Sequence, residues 1–259
     1  MNPASKGHDP EEFVWILQQF NAGHVEPIVI AGQAVNIWGK AFRKWDAENN
    51  STSPKIDDLQ PLTSNDLELL EFKGISALDK FAGVVHSEKT DPFGKAAAPD
   101  TATYFFKQKK TTLKVQVLAW TLGASRNELE KYLVSVRLGQ AKIRIRVPDP
   151  LVLLGCKIAN LATLNQKKPE RNDYKHVRIL MCCVRALLGQ LLQNNQPPRD
   201  ILKLVKRLDT KTESSDAKKV ASQYQIDWDD CLPFELIEQA ATSHVPWRNF
   251  IQNRRRKRG

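Results

Sequence analysis

The sequence predicts an α+β fold, with a domain that mixes strands and helices over residues 1–148, a mostly helical domain over residues 149–253 and a basic tail over residues 254–259. Before Pro148, strand-like runs alternate with helical patterns. After it, apolar residues recur mainly at helical spacing. Pro148 and Pro150 mark the place where the pattern changes. A chain of 259 residues is long enough to bury the core of one or two domains.

The first half contains helices, strands and two hairpins. Apolar spacing predicts, in chain order, a helix at 11–20, a strand at 28–31, a helix at 33–45, a strand at 66–72 and a helix at 75–85. The polar segments between them are predicted loops, at 48–61 and 86–99. The later strands form hairpins, 101–106 with 113–120 and 134–138 with 141–147, on either side of a short helix at 126–132.

The second half is a series of predicted helices separated by short polar or proline-containing segments. They lie at 151–164, 173–192, from Pro197-Pro198 through Leu208, 217–224, 233–242 and 246–253. No apolar run approaches the roughly 20 residues that span a membrane. The amino terminus also lacks the basic and then apolar order of a secretory signal, so we expect a cytoplasmic protein.

The four cysteines form no CxxC pair and have no histidine at zinc-binding spacing. Cys156, Cys182 and Cys183 lie within apolar helical patterns, which predicts buried free thiols. A cysteine nucleophile is the alternative interpretation.

The net charge of +10 is distributed unevenly along the chain. Residues 1–100 carry a net charge of −6 and residues 101–259 a net charge of +16. This asymmetry is consistent with an acidic region that attracts a metal and a basic half that meets a polyanion such as RNA. A solvated basic surface is the alternative. The tail at 254–258, RRRKR, fits either phosphate binding or a free, solubilising end.

The candidate site is the segment from Pro27 to Leu70. A strand there leads into Gly32 and a helix, and a later strand begins Asp66-Leu67-Glu68. Residues two apart in a strand point to the same side, so the carboxylates of Asp66 and Glu68 are expected to project together. Beside a glycine turn at a helix start, such a pair could hold a divalent metal next to a phosphate. A solvent-facing polar strand edge is the alternative.

The order of these motifs resembles the nucleotidyltransferase fold, and more narrowly its AbiEii-like branch, known from toxin–antitoxin and phage-defence systems. The supporting residues are Gly32 after a strand, Thr63-Ser64-x-Asp66-Leu67-Glu68, and two later segments. Those segments are Pro150-Leu-Val-Leu-Leu-Gly-Cys-Lys157 and Lys168-Pro-Glu-Arg171-Asn-Asp173. The resemblance covers roughly residues 10–190. It implies a nucleotidyltransferase-like mixed-sheet domain followed by a mostly helical domain.

The resemblance also implies roles for individual residues. Gly32 and Gln33 would approach the triphosphate of an NTP, and Lys157 would contact phosphate. Asp66 and Glu68 would hold Mg²⁺. Asp173 would orient Lys157 or activate an acceptor hydroxyl, although its place before a helix also fits an N-cap.

The sequence departs from the family pattern at three of these positions. Gln33 stands where Ser or Gly is usual, and Glu68 stands where the second metal ligand is usually Asp. Gln116 occupies the strand position of a third carboxylate, and no Asp or Glu lies between Asp100 and Glu128. The implied chemistry is therefore at most that of two carboxylate ligands.

Together these observations predict a Mg²⁺-dependent nucleotidyltransferase-like protein that moves a nucleotidyl group from an NTP to an acceptor hydroxyl. RNA is the favoured acceptor and a protein hydroxyl the alternative. A catalytically degraded nucleotidyltransferase fold that binds RNA or a protein is the rival interpretation. The resemblance also raises the possibility of an antitoxin partner.

Overall fold

The structure is a computed structural model and describes residues 7–50, 54–90, 99–168 and 171–258. Its strands are β1 (Val29–Ile30), β2 (Leu67–Leu70), β3 (Val84–Lys89), β4 (Asp100–Gln108), β5 (Thr111–Leu118), β6 (Leu133–Leu138) and β7 (Ile143–Pro148). Its α-helices are α1 (Val14–Ala22), α2 (Ala31–Asn49), α3 (Arg126–Lys131), α4 (Pro150–Thr163), α5 (Asp173–Gln193), α6 (Pro198–Thr212), α7 (Ser215–Tyr224), α8 (Phe234–Ser243) and α9 (Val245–Arg258). Short 3-10 turns lie at Pro10–Phe13, Ile56–Leu59, Ile75–Lys80 and Trp228–Cys231.

The first half of the chain is built around a mixed β-sheet. Strands β1 to β5 form five neighbouring strands in the order β1-β2-β5-β4-β3, and β6 pairs with β7 in a separate hairpin. The pairing of β2 with β5 is parallel, whereas the other pairings in the larger sheet are antiparallel. The register places Ile30 and Gln116 on either side of Glu68. The predicted mixed sheet and both predicted hairpins are confirmed.

The helices after Pro148 pack against α2, and α4 also packs directly against the larger sheet. Asp149 begins α4 by accepting a hydrogen bond from the backbone N–H of Val152 at 2.9 Å, and Pro150 occupies the first turn, where a missing N–H costs nothing. Almost every side chain of α4 is buried, so this helix forms the centre of the second half. One hydrophobic cluster joins residues of both halves, for example Val35 of α2 and Leu180 of α5. The boundary near residue 148 stays a prediction.

The predicted helix at 75–85 is wrong. The loop predicted at 86–99 is also wrong for its first residues, 86–89, which belong to a strand. The chain makes only a short turn at Ile75–Lys80 and then forms the edge strand β3. Leu78 is buried, but Val85, which completes the apparent helical spacing, is 58% exposed. Gly83 has φ +87°, a left-handed conformation that separates the turn from the strand. Because β3 buries little, its sequence lacks the apolar alternation that identifies a half-buried strand.

Other predicted boundaries move by a few residues. Ala31 belongs to α2 rather than to the preceding strand, and β2 begins at Leu67, one residue after Asp66. Helix α9 continues to Arg258, so part of the predicted basic tail is helical. Arg254 donates to the Oδ1 atoms of Asp209 and Asp229, both at 2.8 Å. All four cysteines are free and buried, as predicted for three of them.

Candidate active site

Five of the six predicted site residues meet in one polar cavity between the sheet and helices α4 and α5. Its volume is about 470 Å³. We call it the acid-pair cavity, and its lining residues are Gly32, Ser64, Asn65, Asp66, Glu68, Lys114, Gln116, Lys157, Asn160, Arg171, Asn172, Asp173 and His176. The predicted convergence of Asp66 and Glu68 on the same side as Gly32 is therefore found in the structure.

Glu68 lies directly against the turn at Gly32. The antiparallel pairing of β1 with β2 sets Ile30 opposite Glu68, and the backbone N–H of Gly32 donates to Glu68 Oε2 at 3.1 Å. A Cβ atom at position 32 would collide with Ser64 Oγ and come within 3.3 Å of His176 Cε1. The backbone of residue 32 can therefore lie this close to Ser64 and His176 because glycine has no Cβ atom.

The junction between β1 and α2, just before Gly32, also contains a non-glycine residue in an unfavourable backbone conformation. Ala31 has φ +53°, in the left-handed region where a Cβ atom crowds the backbone. The strand and helix on either side fix the turn in this shape. Strain of this kind is concentrated at ligand-binding sites, where it positions backbone groups.

The environment of Glu68 favours its protonated form. Burial is the main cause, followed by the neighbouring Asp66 carboxylate, and together they raise the pKa of Glu68 to about 7. Lys157 and the N–H of Gly32 act in the opposite direction without cancelling the effect. Near neutral pH, Glu68 therefore exchanges a proton readily, and a cation that binds it would displace that proton.

Asp66 forms an ion pair with Lys114, a residue that the sequence interpretation did not assign to the site. The Nζ of Lys114, on β5, lies 3.5 Å from Asp66 Oδ2, and the Asp66 side chain is only 18% exposed. On the same strand, Gln116 Nε2 donates to Asp100 Oδ2 at 2.9 Å. Burial, followed by Asp66, raises the pKa of Asp100. The sheet register thus places a third carboxylate, that of Asp100 on β4, next to the side chain of Gln116 on β5.

Lys157 and Asp173 form a buried ion pair that connects α4 to α5. Lys157 Nζ donates to Asp173 Oδ1 at 3.0 Å, and the two side chains are 7% and 4% exposed. Arg171 donates to the other carboxylate oxygen, Oδ2, also at 3.0 Å. Burial opposes the charge on Asp173, but Lys157 and Arg171 overcome it and lower its pKa to about 2. Such a carboxylate is a weak base at neutral pH, so the geometry favours the orienting role predicted for Asp173 over activation of a hydroxyl.

His176 is a cavity residue to which the sequence interpretation gave no role. It lies three residues after Asp173 on α5, is 4% exposed, and its Nδ1 has no hydrogen-bond partner among the described residues. Burial, followed by the charge of Lys157, holds the pKa of His176 well below its usual range, so the ring is neutral. The spacing of three from Asp173 was the available sequence signal, because residues three apart share a helix face.

Gln33 does not join the site through its side chain. The side chain is fully buried, and its Nε2 donates to the backbone oxygen of His8 at 3.0 Å. A contact between Gln33 and a nucleotide would therefore have to use its backbone.

Asp66 and Glu68 are the cavity residues that could serve as ligands of a magnesium ion. Among the described residues, no group of three or more His, Cys, Asp or Glu side chains is arranged to hold a metal. Mg²⁺ is commonly bound by one or two carboxylates together with substrate phosphates and water, and Asp66 and Glu68 supply two. To bind these two carboxylates, Mg²⁺ would have to displace Lys114 from Asp66 and the proton from Glu68.

Comparisons with known proteins leave the family of this chain unassigned. No protein-family model matches it, and no curated protein matches it. Among solved structures, it is similar to an antigenic nucleotidyltransferase-like protein from Paracoccidioides brasiliensis, with a TM-score of 0.41 and 13% sequence identity, over 75% of this chain and 92% of that chain. A similarity at this level carries no argument about chemistry. Membership of the AbiEii-like branch stays a prediction.

None of the helices among the described residues is both long enough and apolar enough to cross a membrane.

Proposed function

We propose that this chain is a Mg²⁺-dependent nucleotidyltransferase that transfers a nucleotidyl group from an NTP to an acceptor hydroxyl, with RNA as the favoured acceptor. The observation that carries the proposal is the meeting of three carboxylates and three cationic side chains in one cavity, Asp173 and Lys114 among them. Asp66 and Glu68 face it from the sheet, and Lys157 and Arg171 face it from the helical half. This arrangement suits a triphosphate and its counterion.

The transfer would form a bond between the acceptor oxygen and the α-phosphorus, break the bond from that phosphorus to the leaving pyrophosphate, and release the proton of the acceptor hydroxyl to water. Asp66 and Glu68 would hold Mg²⁺, which when bound offsets negative charge on the phosphates. Lys157, fixed by Asp173, and Arg171 would bind phosphate oxygens. The net charge of +16 over residues 101–259 supports RNA as the acceptor.

A non-catalytic RNA-binding role is the second candidate, and specific contacts favour it. Lys114 lies against Asp66, and Glu68 accepts from the Gly32 amide that a phosphate would otherwise use. The high pKa of Glu68 also lowers its affinity for a cation near neutral pH. These features are consistent with a nucleotidyltransferase-like site that has lost its metal.

A transfer assay separates the two candidates. The protein is incubated with each α-labelled NTP, Mg²⁺ or Mn²⁺, and total RNA. We expect labelled RNA from the wild type and at least a hundredfold less from Asp66→Asn, because loss of a metal ligand removes several kcal/mol of charge stabilisation. Asp200→Asn, an exposed substitution on α6, is the matched control and should leave transfer unchanged. Salt-sensitive RNA binding without any transfer would favour the binding role instead.

A further inference from the structure

A second cavity adjoins the acid-pair cavity and is still unassigned. Its volume is about 690 Å³, within the roughly 300–1,000 Å³ range of small-molecule pockets. The two cavities share a wall formed by Glu68, Gln116, Lys157, Asn160 and Arg171. The two cavities therefore lie side by side, with these five residues between them.

The lining of the second cavity differs in chemistry from that of the first. Leucines from three elements contribute to it, including Leu118 of β5, Leu129 of α3 and Leu153 of α4. Trp120, just after β5, lies on the same lining, so we call this space the Trp120 cavity. It offers apolar surface beside the cationic groups of Lys157 and Arg171, and the carboxylates of Glu68 and Asp100 also belong to its lining.

Trp120 is unlike the other tryptophans of the chain. All six lie in the described residues, and five are part of the hydrophobic core or pack against it: Trp15, Trp38, Trp45, Trp228 and Trp247. Trp120 belongs to neither hydrophobic cluster of the described residues and is partly exposed. Its indole is thus available to a flat ring, which it can contact over a large area at small entropic cost.

We propose that the Trp120 cavity binds the base of the NTP, stacked on the Trp120 indole, while the phosphates cross the shared wall into the acid-pair cavity. The inference rests on the proposed function and assigns each end of the substrate to a cavity. Lys157 and Arg171 stand at the join, where a nucleotide changes from an apolar ring to an anionic chain. Stacking accepts every base because each has a π face, and the larger purines should bind more tightly than the pyrimidines.

The proposal is tested by calorimetric titration of the full chain with ATP and with tripolyphosphate, which has phosphates but no base, both with Mg²⁺. For Trp120→Ala we expect ATP to bind ~10- to 100-fold more weakly, since stacking contributes about that much per base, with tripolyphosphate unchanged. Trp120→Phe should weaken ATP binding less, because it keeps an aromatic face. Thermal melts of both variants check that they fold as the wild type does.

Fluorescence gives a second readout that does not depend on affinity. ATP should quench the wild type and Trp228→Phe, whose lost indole packs against the core, but not Trp120→Phe at saturating ATP. Equal ATP affinity in wild type and Trp120→Ala would overturn the inference and leave the proposed function standing. Equal weakening of ATP and tripolyphosphate, or weakened binding of RNA alone, would overturn it as well. A wild type that binds neither ATP nor tripolyphosphate would sink both the inference and the proposed function.

Discussion

At the scale of the residue, Glu68 combines a structural contact with an unfavourable charge. Its pKa of about 7 lies above the ordinary value of 4.5, so the folded chain holds a proton that the unfolded chain releases. The free energy of unfolding therefore falls as pH rises from about 4.5 to 7, and this loss persists at higher pH. Glu68→Gln keeps an acceptor for the Gly32 N–H but cannot ionise.

We therefore predict that Glu68→Gln gains stability relative to the wild type between pH 5 and pH 8, by about 3 kcal/mol at pH 8. Urea unfolding of both proteins at several pH values measures the difference. Mg²⁺ added at pH 8 should stabilise the wild type more than the variant, because the variant keeps only one of the two carboxylate ligands, Asp66. A difference between the two proteins that stays constant with pH would contradict this account of Glu68.

At the scale of the element, the Lys157–Asp173 pair fixes the position of α5 against α4. Asp173→Asn would leave Lys157 buried beside a neutral partner, and we predict a loss of ~3 kcal/mol in the free energy of unfolding at pH 7. The contribution of Asp173 requires its charge, so it should persist above pH 3.8 and disappear as pH falls toward 2. The gap between variant and wild type should close over that range.

Denaturant titrations at pH 7 and pH 3 test this prediction, and a double variant provides the control. Lys157→Met combined with Asp173→Leu removes both charges and should recover most of the lost stability, since apolar replacements of a buried pair are often neutral. If the double variant is no more stable than Asp173→Asn, the cost lies in packing rather than in an unpaired charge.

The elements themselves differ in how far the sequence predicts them. Helices α4 and α5 follow from their apolar spacing, because each buries most of its side chains. Strand β3 could not be predicted in the same way, since it is an edge strand held by pairing with β4. Its position depends on partners 13 to 22 residues away in the chain, and Val85 fits a helical period without being buried.

At the scale of the whole molecule, the site divides into a predictable part and an unpredictable part. Asp66, Glu68 and Gly32 were predictable because strand alternation and one tight turn define their directions locally. Lys157 and Asp173 came only from a family resemblance. Lys114 reaches the cavity, and Asp100 reaches Gln116 beside it, through strand register, which no local pattern in the sequence encodes. For His176 the only local signal was its spacing of three from Asp173.

Both halves of the chain contribute charged side chains to one cavity, and the central claim is that this cavity transfers a nucleotidyl group. The most direct test compares an NTP labelled at the α-phosphate with the same NTP labelled at the γ-phosphate, in the presence of RNA and Mg²⁺. We predict that the α label becomes attached to RNA while the γ label leaves as pyrophosphate, and that Asp66→Asn abolishes both events. Attachment of the γ label to the acceptor, or α transfer that survives Asp66→Asn, would contradict the claim.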